Sequence, residues 1–210
     1  MSSPLRAQRW RAWALAGLLV WGGCGRGEQG EAVDPAAIAA RTRLRDVSTI
    51  EGDFLARQRL TGVMGAVTLS GDVVLQKAGG TLTLLGLSPF GTRAFVVIQE
   101  GSSVRVETTP GMEPPFPPAM MLVDVHRALF LGLAPGRRRG RVDGELVEET
   151  WSEERLLRRV FTRRIGRPRG KVTIGYGRGM TGGEPPAVIE IVNEQIGYSV
   201  TIETLSFQRL

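Results

Sequence analysis

Few side chains in this sequence could make or break bonds, and they do not form a catalytic set. There is one cysteine, Cys24, and one histidine, His126. A lone cysteine excludes an intramolecular disulfide. No His/Cys spacing suits a metal ion. The Gly-x-Ser-x-Gly nucleophile elbow and the Walker phosphate loop are both missing from the sequence. Gly175-Tyr176-Gly177 lacks glycine at the offsets a phosphate loop needs, and reads as a hairpin end. Asp124, Glu153 and Glu154 read as solvated acids, and His126 as a helix-flank residue. Arg137-Arg138-Arg139-Gly140-Arg141 is the densest run of charge. It reads as a solvated loop, with anionic head groups as the functional alternative, each Arg contributing ~1 kcal/mol near such a surface. No cofactor or metal is implied, and no enzyme.

Cys24 carries the one chemical signal with a context. Arg6, Arg9 and Arg11 precede it with no acid among them, and Ala12 to Val20 form a short apolar run. Charge, short apolar segment and small residues occur in the order of an export signal. The run falls short of the ~20 residues a bilayer-spanning helix needs. Gly22-Gly23-Cys24 resembles the bacterial lipobox, although Trp21 stands where that motif usually has Leu. The resemblance implies cleavage before Cys24 and a diacylglycerol on its sulfur. With an acyl group on the new amine, such an anchor passes the two-signal threshold for stable membrane attachment. Gly25, in place of an Asp, favours the outer membrane.

Removing residues 1–23 removes three Arg and no acid, so the +6 of the whole chain falls to +3. Lys77 and Lys171 are the only lysines; this skew to Arg fits a GC-rich genome better than a nucleic-acid footprint. A membrane surface is the better basic partner. Residues 24–48 read as a tether, with a short helix over Ala36–Val47. Residues 49–210 are long enough for one domain with a real core.

That domain reads as mainly β. Apolar–polar runs predict strands near Phe54–Leu60, Val63–Ser70, Val73–Lys77, Thr81–Leu87, Ala94–Glu100 and Val104–Thr108. Ser70-Gly71-Asp72 and Gly101-Ser102 read as turns. Leu82, Leu84, Leu85 and Leu87 make one strand apolar on both sides, as in strands that are covered twice or line an apolar hollow. Ala119–Leu131 reads as a helix, begun by Pro117 and Pro118, with Met121, Leu122, Val125, Ala128 and Leu129 on one arc and Asp124 and Arg127 opposite. Ser152–Ile165 fits helical spacing as well, but its Val- and Thr-containing surroundings favour strands. Lys171–Tyr176, Ala187–Asn193 and Tyr198–Phe207 read as three closing antiparallel strands.

Leu84-Leu85-Gly86-Leu87-Ser88-Pro89-Phe90-Gly91 and the following Thr92–Ile98 resemble the LolA/LolB lipoprotein carrier and acceptor superfamily, and more closely a related family of bacterial outer-membrane lipoproteins. Pro117–Phe130 and Asn193–Leu205 extend the resemblance, which covers Phe54 to Leu205. It implies a curved antiparallel sheet forming an incomplete barrel, with a helical lid and an apolar hollow for acyl chains. It also implies that Phe90, in Pro89-Phe90-Gly91, stands where the acceptor projects a membrane-inserting side chain. An exposed Phe is unfavourable in water and favourable at a lipid interface.

The leading expectation is a membrane-anchored lipoprotein on the periplasmic face of the outer membrane. It would bind a lipid, an acylated protein or another hydrophobic cargo by partition, with a periplasmic carrier protein as a further partner and no nucleic acid. Leu82, Leu84, Leu87, Phe95, Val97, Met121, Leu122 and Leu129 are the candidate lining, although each would serve equally in a plain core. The rival is a structural or assembly lipoprotein that acts through a protein partner at a sheet edge, its interior filled by its own side chains. An acid-based lipid hydrolase is a third class.

Overall fold

The computed structural model describes residues 44–88, 90–112, 114, 118–166, 168–182 and 184–210. The export signal, Cys24, nearly all of the expected 36–47 helix, Pro89 and Pro117 lie outside them. Leu44–Asp46 is not helical, and a single 3-10 turn follows at Val47–Thr49, capped by the Asp46 carboxylate, which accepts from the Ser48 amide.

Eleven strands form one antiparallel sheet: β1 (Phe54–Met64), β2 (Val67–Ala78), β3 (Thr81–Leu87), β4 (Arg93–Glu100), β5 (Ser103–Thr108), β6 (Arg139–Val142), β7 (Glu145–Ser152), β8 (Arg155–Arg163), β9 (Gly170–Met180), β10 (Val188–Asn193) and β11 (Tyr198–Arg209). Their order is β5-β4-β3-β2-β1-β11-β10-β9-β8-β7-β6. This is two meanders joined where the first strand pairs with the last. The outer strands, β5 and β6, are not paired with each other, so the sheet is an incomplete barrel, as the resemblance implied. They are consecutive in the chain, and what connects them is helix α1 (Pro118–Val125), continued by a wider π turn (His126–Phe130). The crossover between the two free edges is therefore the lid itself.

The period-two burial is clear along the strands. Phe54, Ala56, Gln58 and Leu60 of β1 point inward, as do Leu82 and Leu84 of β3 and Val172, Ile174 and Tyr176 of β9. Bulges at Arg57/Gln58, Gly86/Leu87 and Thr150/Trp151 bend and twist the strands locally. The inner side chains form two main clusters. One is built on β1–β4 around Leu75, Leu82, Leu84 and Val97; the other, on β8–β11, surrounds Phe161, Ile174, Ile189 and Ile191. Met121 and Leu129 of the helical segment pack on both.

Several sequence expectations need correction. Ser70-Gly71-Asp72 is not a turn but the middle of β2; the hairpin turns at Gly65-Ala66. Its backbone can turn there because Gly65 takes a positive φ of 58°. Arg139 to Arg141, read as loop, belongs to edge strand β6, which returns through Asp143-Gly144, both with positive φ. Gly175-Tyr176-Gly177 lies inside β9 rather than at a hairpin end. Within Ser152–Ile165 the chain is strand rather than helix, as its context favoured: Ser152 ends β7, Glu153-Glu154 turn, and Arg155–Arg163 form β8.

Gly62 tests the central β1–β11 pair, because a Cβ there would run into the Ser199 carbonyl and the Val200 backbone across the ladder. Gly62→Ala should lower stability by about 1–3 kcal/mol in urea titration. Gly80→Ala, which meets open space, should stay within about 0.5 kcal/mol of the parent. Equal stabilities for the two would reject this packing.

Candidate functional site

A helix end inside a sheet leaves carbonyls that water cannot reach. Here two strand residues take them. Arg159 of β8 donates from Nη1 to the carbonyls of Arg127 (2.9 Å) and Ala128 (3.3 Å). The hydroxyl of Tyr176, on β9, donates to the same Ala128 carbonyl at 2.8 Å. Burial pushes the Tyr176 phenol upward, so it stays a donor. Arg159 is in turn held by Glu149, Nε to Oε1, at 2.8 Å. The positive charge also suits the negative end of a helix.

Arg127 reaches the other way. Its Nη2 contacts both Glu145 oxygens (3.1 and 3.2 Å), its Nη1 lies 3.5 Å from Asp124, and its guanidinium lies over the Phe161 ring. Asp124 and Arg127 were expected on a wet face, but both are buried. The acid is only partly compensated: burial raises Asp124 to about 6 against the opposing pull of Arg127.

His126 is fully buried as well. Its Nδ1 accepts from the Arg45 amide at 3.2 Å, so its Nε2 must donate to Gln99 Oε1, 2.7 Å away. Gln99 Nε2 donates to the carbonyls of Arg45 and Gly101. Burial, helped by the Arg45 charge, lowers the imidazole to about 4. The histidine is a neutral clasp that joins the entering chain, the π turn and β4. Both of its ring nitrogens are occupied by these bonds.

What the helix leaves open is a hollow of about 380 Å³ at one end of the sheet. Buried Ile50, Phe54, Ala56, Leu75 and Leu156 line its depth, with Leu129, Phe130, Met180 and Phe207 around them. The Phe54 ring lies between those of Phe130 and Phe207, tilted against both, with centroids 6.4 and 5.8 Å away. Exposed Arg45, Glu51, Glu184 and Arg209 stand at its mouth. The volume lies at the low end of small-molecule sites. A second hollow of about 60 Å³, lined by Met64, Met120, Met121 and Tyr198 among others, lies under α1 toward the other end.

The eight candidate lining residues separate. Leu129 lines the larger hollow; Leu84 and Met121 line the smaller one. Leu82, Phe95, Val97 and Leu122 are packed in the β1–β4 core, and Leu87 is half-buried on the outer side of β3. The sequence reading missed Phe54, Ala56, Leu75, Leu156, Met180 and Phe207. Their inward alternation was legible, but which end of the sheet the helix leaves uncovered was not.

Phe90 projects from the β3–β4 turn and is 90% exposed. The turn is tied by Ser88 and Thr92: their hydroxyls are 2.7 Å apart, and the Ser88 amide donates to the Thr92 carbonyl at 2.8 Å. By strand direction, this turn lies at the same sheet end as exposed Val63 and Val67 of the β1–β2 hairpin and Ile165 of the β8–β9 loop. The mouth of the larger hollow lies at the opposite end. Among the described residues, no helix is long and apolar enough to cross a membrane, and no cluster of His, Cys, Asp and Glu could hold a metal ion.

A family model described as "Protein of unknown function (DUF3261)" matches residues 55–206. No curated protein matches the chain. Among solved structures, the chain is similar to a LolA superfamily protein from Nitrosomonas europaea, at 13% identity and TM-score 0.46, over 84% of this chain and 94% of that one. It is also similar to a domain from Vibrio parahaemolyticus named for outer membrane lipoprotein sorting, at 11% identity and TM-score 0.45, over 83% and 90% of the two chains. A DUF1329 family protein from Desulfovibrio piger follows at 12% identity and TM-score 0.35, over 84% and 94%.

The two buried titrations run in opposite directions. The imidazole of His126 is lowered from 6.5 to about 4, so its contribution is present above pH 6.5 and fades as pH falls toward 4. Asp124 is raised from 3.8 to about 6, so its contribution grows over nearly the same descent. Relative to the parent, His126→Asn should therefore gain up to about 3 kcal/mol of stability between pH 6.5 and 4, and Asp124→Asn should lose a similar amount. Urea titrations across that range read both; a pH-independent difference for either variant would refute the assignment of that group.

Proposed function

We propose that this chain, which belongs to the DUF3261 family, is a lipid-anchored protein that binds a hydrophobic cargo in its larger hollow. A lipid or the acyl chains of a lipoprotein are the cargo class. One observation carries the reading: a space of about 380 Å³ remains between walls that are largely apolar, with buried Arg159 among them and charged residues at the mouth, although α1 covers most of the rest of the inner face. A concave, mostly apolar space of this kind with a few polar groups at its rim is the usual form of a small-molecule site. Burying an alkyl chain there yields ~0.8 kcal/mol per CH₂, so binding requires no covalent step. Met180 and the three phenylalanines give a wall that can adjust to a flexible guest.

Attachment would run through Cys24 to the periplasmic face of the outer membrane. Arg45 and Ile50 border the mouth, so the tether would arrive beside it. The about twenty residues between Cys24 and Leu44 can span up to ~70 Å. Strand β1, with its eleven residues, spans only ~36 Å. Either end of the sheet can therefore reach the same membrane. At the far end, Phe90 with Val63, Val67 and Ile165 would enter the lipid interface, and a periplasmic carrier protein could hand over cargo at the mouth.

A second reading, a partner-binding assembly lipoprotein, is favoured by edge strand β5, which pairs only with β4 and leaves Val104 and Val106 about two-fifths exposed. A partner strand could add there.

The full chain carrying Cys24→Ser removes its own lipid as a competitor. Native mass spectrometry should find an alkyl-chain ligand bound to it. Met180→Trp, which narrows the hollow, should weaken displacement of a fluorescent fatty acid by about tenfold without lowering the thermal midpoint. An empty protein that binds no such probe would reject the cargo reading and favour the partner-binding one. Separately, Phe90→Glu should reduce flotation with anionic vesicles severalfold; unchanged flotation removes the loop from the mechanism.

A further inference from the structure

We infer that the hollow admits one alkyl chain, so that the cargo is a single-chain amphiphile, a fatty acid or a lysophospholipid, rather than a diacyl lipid or the triacylated end of a lipoprotein. This rests on the cargo reading above and narrows it.

The first argument is volume. A dry cavity of ~150 Å³ accepts benzene, with its six carbons. On that scale the larger hollow, about 380 Å³ and open at a charged mouth, accepts at most roughly fifteen carbons. This is one chain of ordinary length, not two or three.

The second argument is that the hollow cannot readily grow inward, past the helix. Its inner wall is the π turn, through Leu129 and Phe130. That turn is fixed to β8 and β9 by the bonds from Arg159 and Tyr176 to the Arg127 and Ala128 carbonyls. The Arg127 side chain is bound to Glu145 at the start of β7. Displacing the turn would leave buried carbonyls and buried charges without partners, which is strongly unfavourable. The smaller hollow offers no annexe: it shares no lining residue with the larger one.

The third argument concerns the head group. Arg45 and Arg209 share the mouth with Glu51 and Glu184, all exposed. A charged or zwitterionic head can remain in water among charges of both signs while its chain runs inward past Phe54 and Phe207. Branching into two chains would have to begin at this rim.

A chain-length series tests this with the full chain carrying Cys24→Ser. Saturated fatty acids from about eight to about twenty carbons, and lysophospholipids of matched chain, are titrated against a fluorescent fatty acid. Affinity should tighten about fourfold per methylene up to about fifteen carbons and then level off. Native mass spectrometry should count one chain per protein. If fatty acids compete and lysophospholipids do not, the head is a free carboxylate; if both compete, one chain is the whole requirement. A diacyl lipid or a triacylated lipopeptide that binds more than about tenfold tighter than the best single chain, or two fatty acids per protein, would overturn the single-chain inference and leave the hollow as a cargo site. No binding by any of these probes would overturn both.

Discussion

Carbonyl groups at the end of a buried helix have no water to bond, and the sheet must supply their donors or the helix cannot stay. In this protein Arg159 and Tyr176 supply them, from two neighbouring strands. Arg159 can stay charged out of water because Glu149 meets it, and Glu149 also accepts from the Leu133 amide and the Trp151 indole. The rest follows from this junction. It holds the π turn against β8 and β9, aligns Leu129 and Phe130 as a wall, and decides where the interior is full and where it is open. Buried ion pairs contribute little net stability compared with apolar packing. Their effect here is positional: a guanidinium with several fixed acceptors allows one seating of the helix.

The sheet explains why a helix is needed there. Its two free edges, β5 and β6, are neighbours in sequence, and the chain must cross from one to the other. A strand could not make that crossing inside the curve without unpaired backbone groups. A helix satisfies most of its own, and its apolar arc covers inner faces of both meanders. Met121 and Leu129 each touch both clusters for that reason. The helical segment is short, so it closes one part of the concave face and not the other. The hollow is what remains beyond its last turn.

This geometry separates two kinds of surface in space. The mouth, with its charged rim and phenylalanine walls, lies at the end where Arg45 enters the fold. The exposed apolar tips, Phe90 foremost, lie at the other end. A protein that took cargo at one end and touched a bilayer with the other would need a long tether and a rigid body between them. The sheet provides the second, with its first and last strands paired at the centre.

Much of this was legible in the sequence. Phe90 was marked by the resemblance; period-two patterning marked most of the strands, and the proline approach and apolar arc marked the helix. These are local properties, set by steric preference and by which side of a strand is oily. Ser70-Gly71-Asp72 misled because turn-forming residues are tolerated within a long hairpin once both neighbours pair. Asp124 and Arg127 misled more deeply. Helical spacing puts them opposite the apolar arc, and a lid was expected to turn that face to water. Only the tertiary structure brings Glu145, Gln195 and Phe161, distant in the chain, to that face and makes burial of the charge tolerable. The pairing of β1 with β11 and the vacancy at one end have the same origin. They depend on contacts between residues more than a hundred positions apart, which no local pattern encodes, whereas the alternation of oily and wet residues is written in each strand by itself.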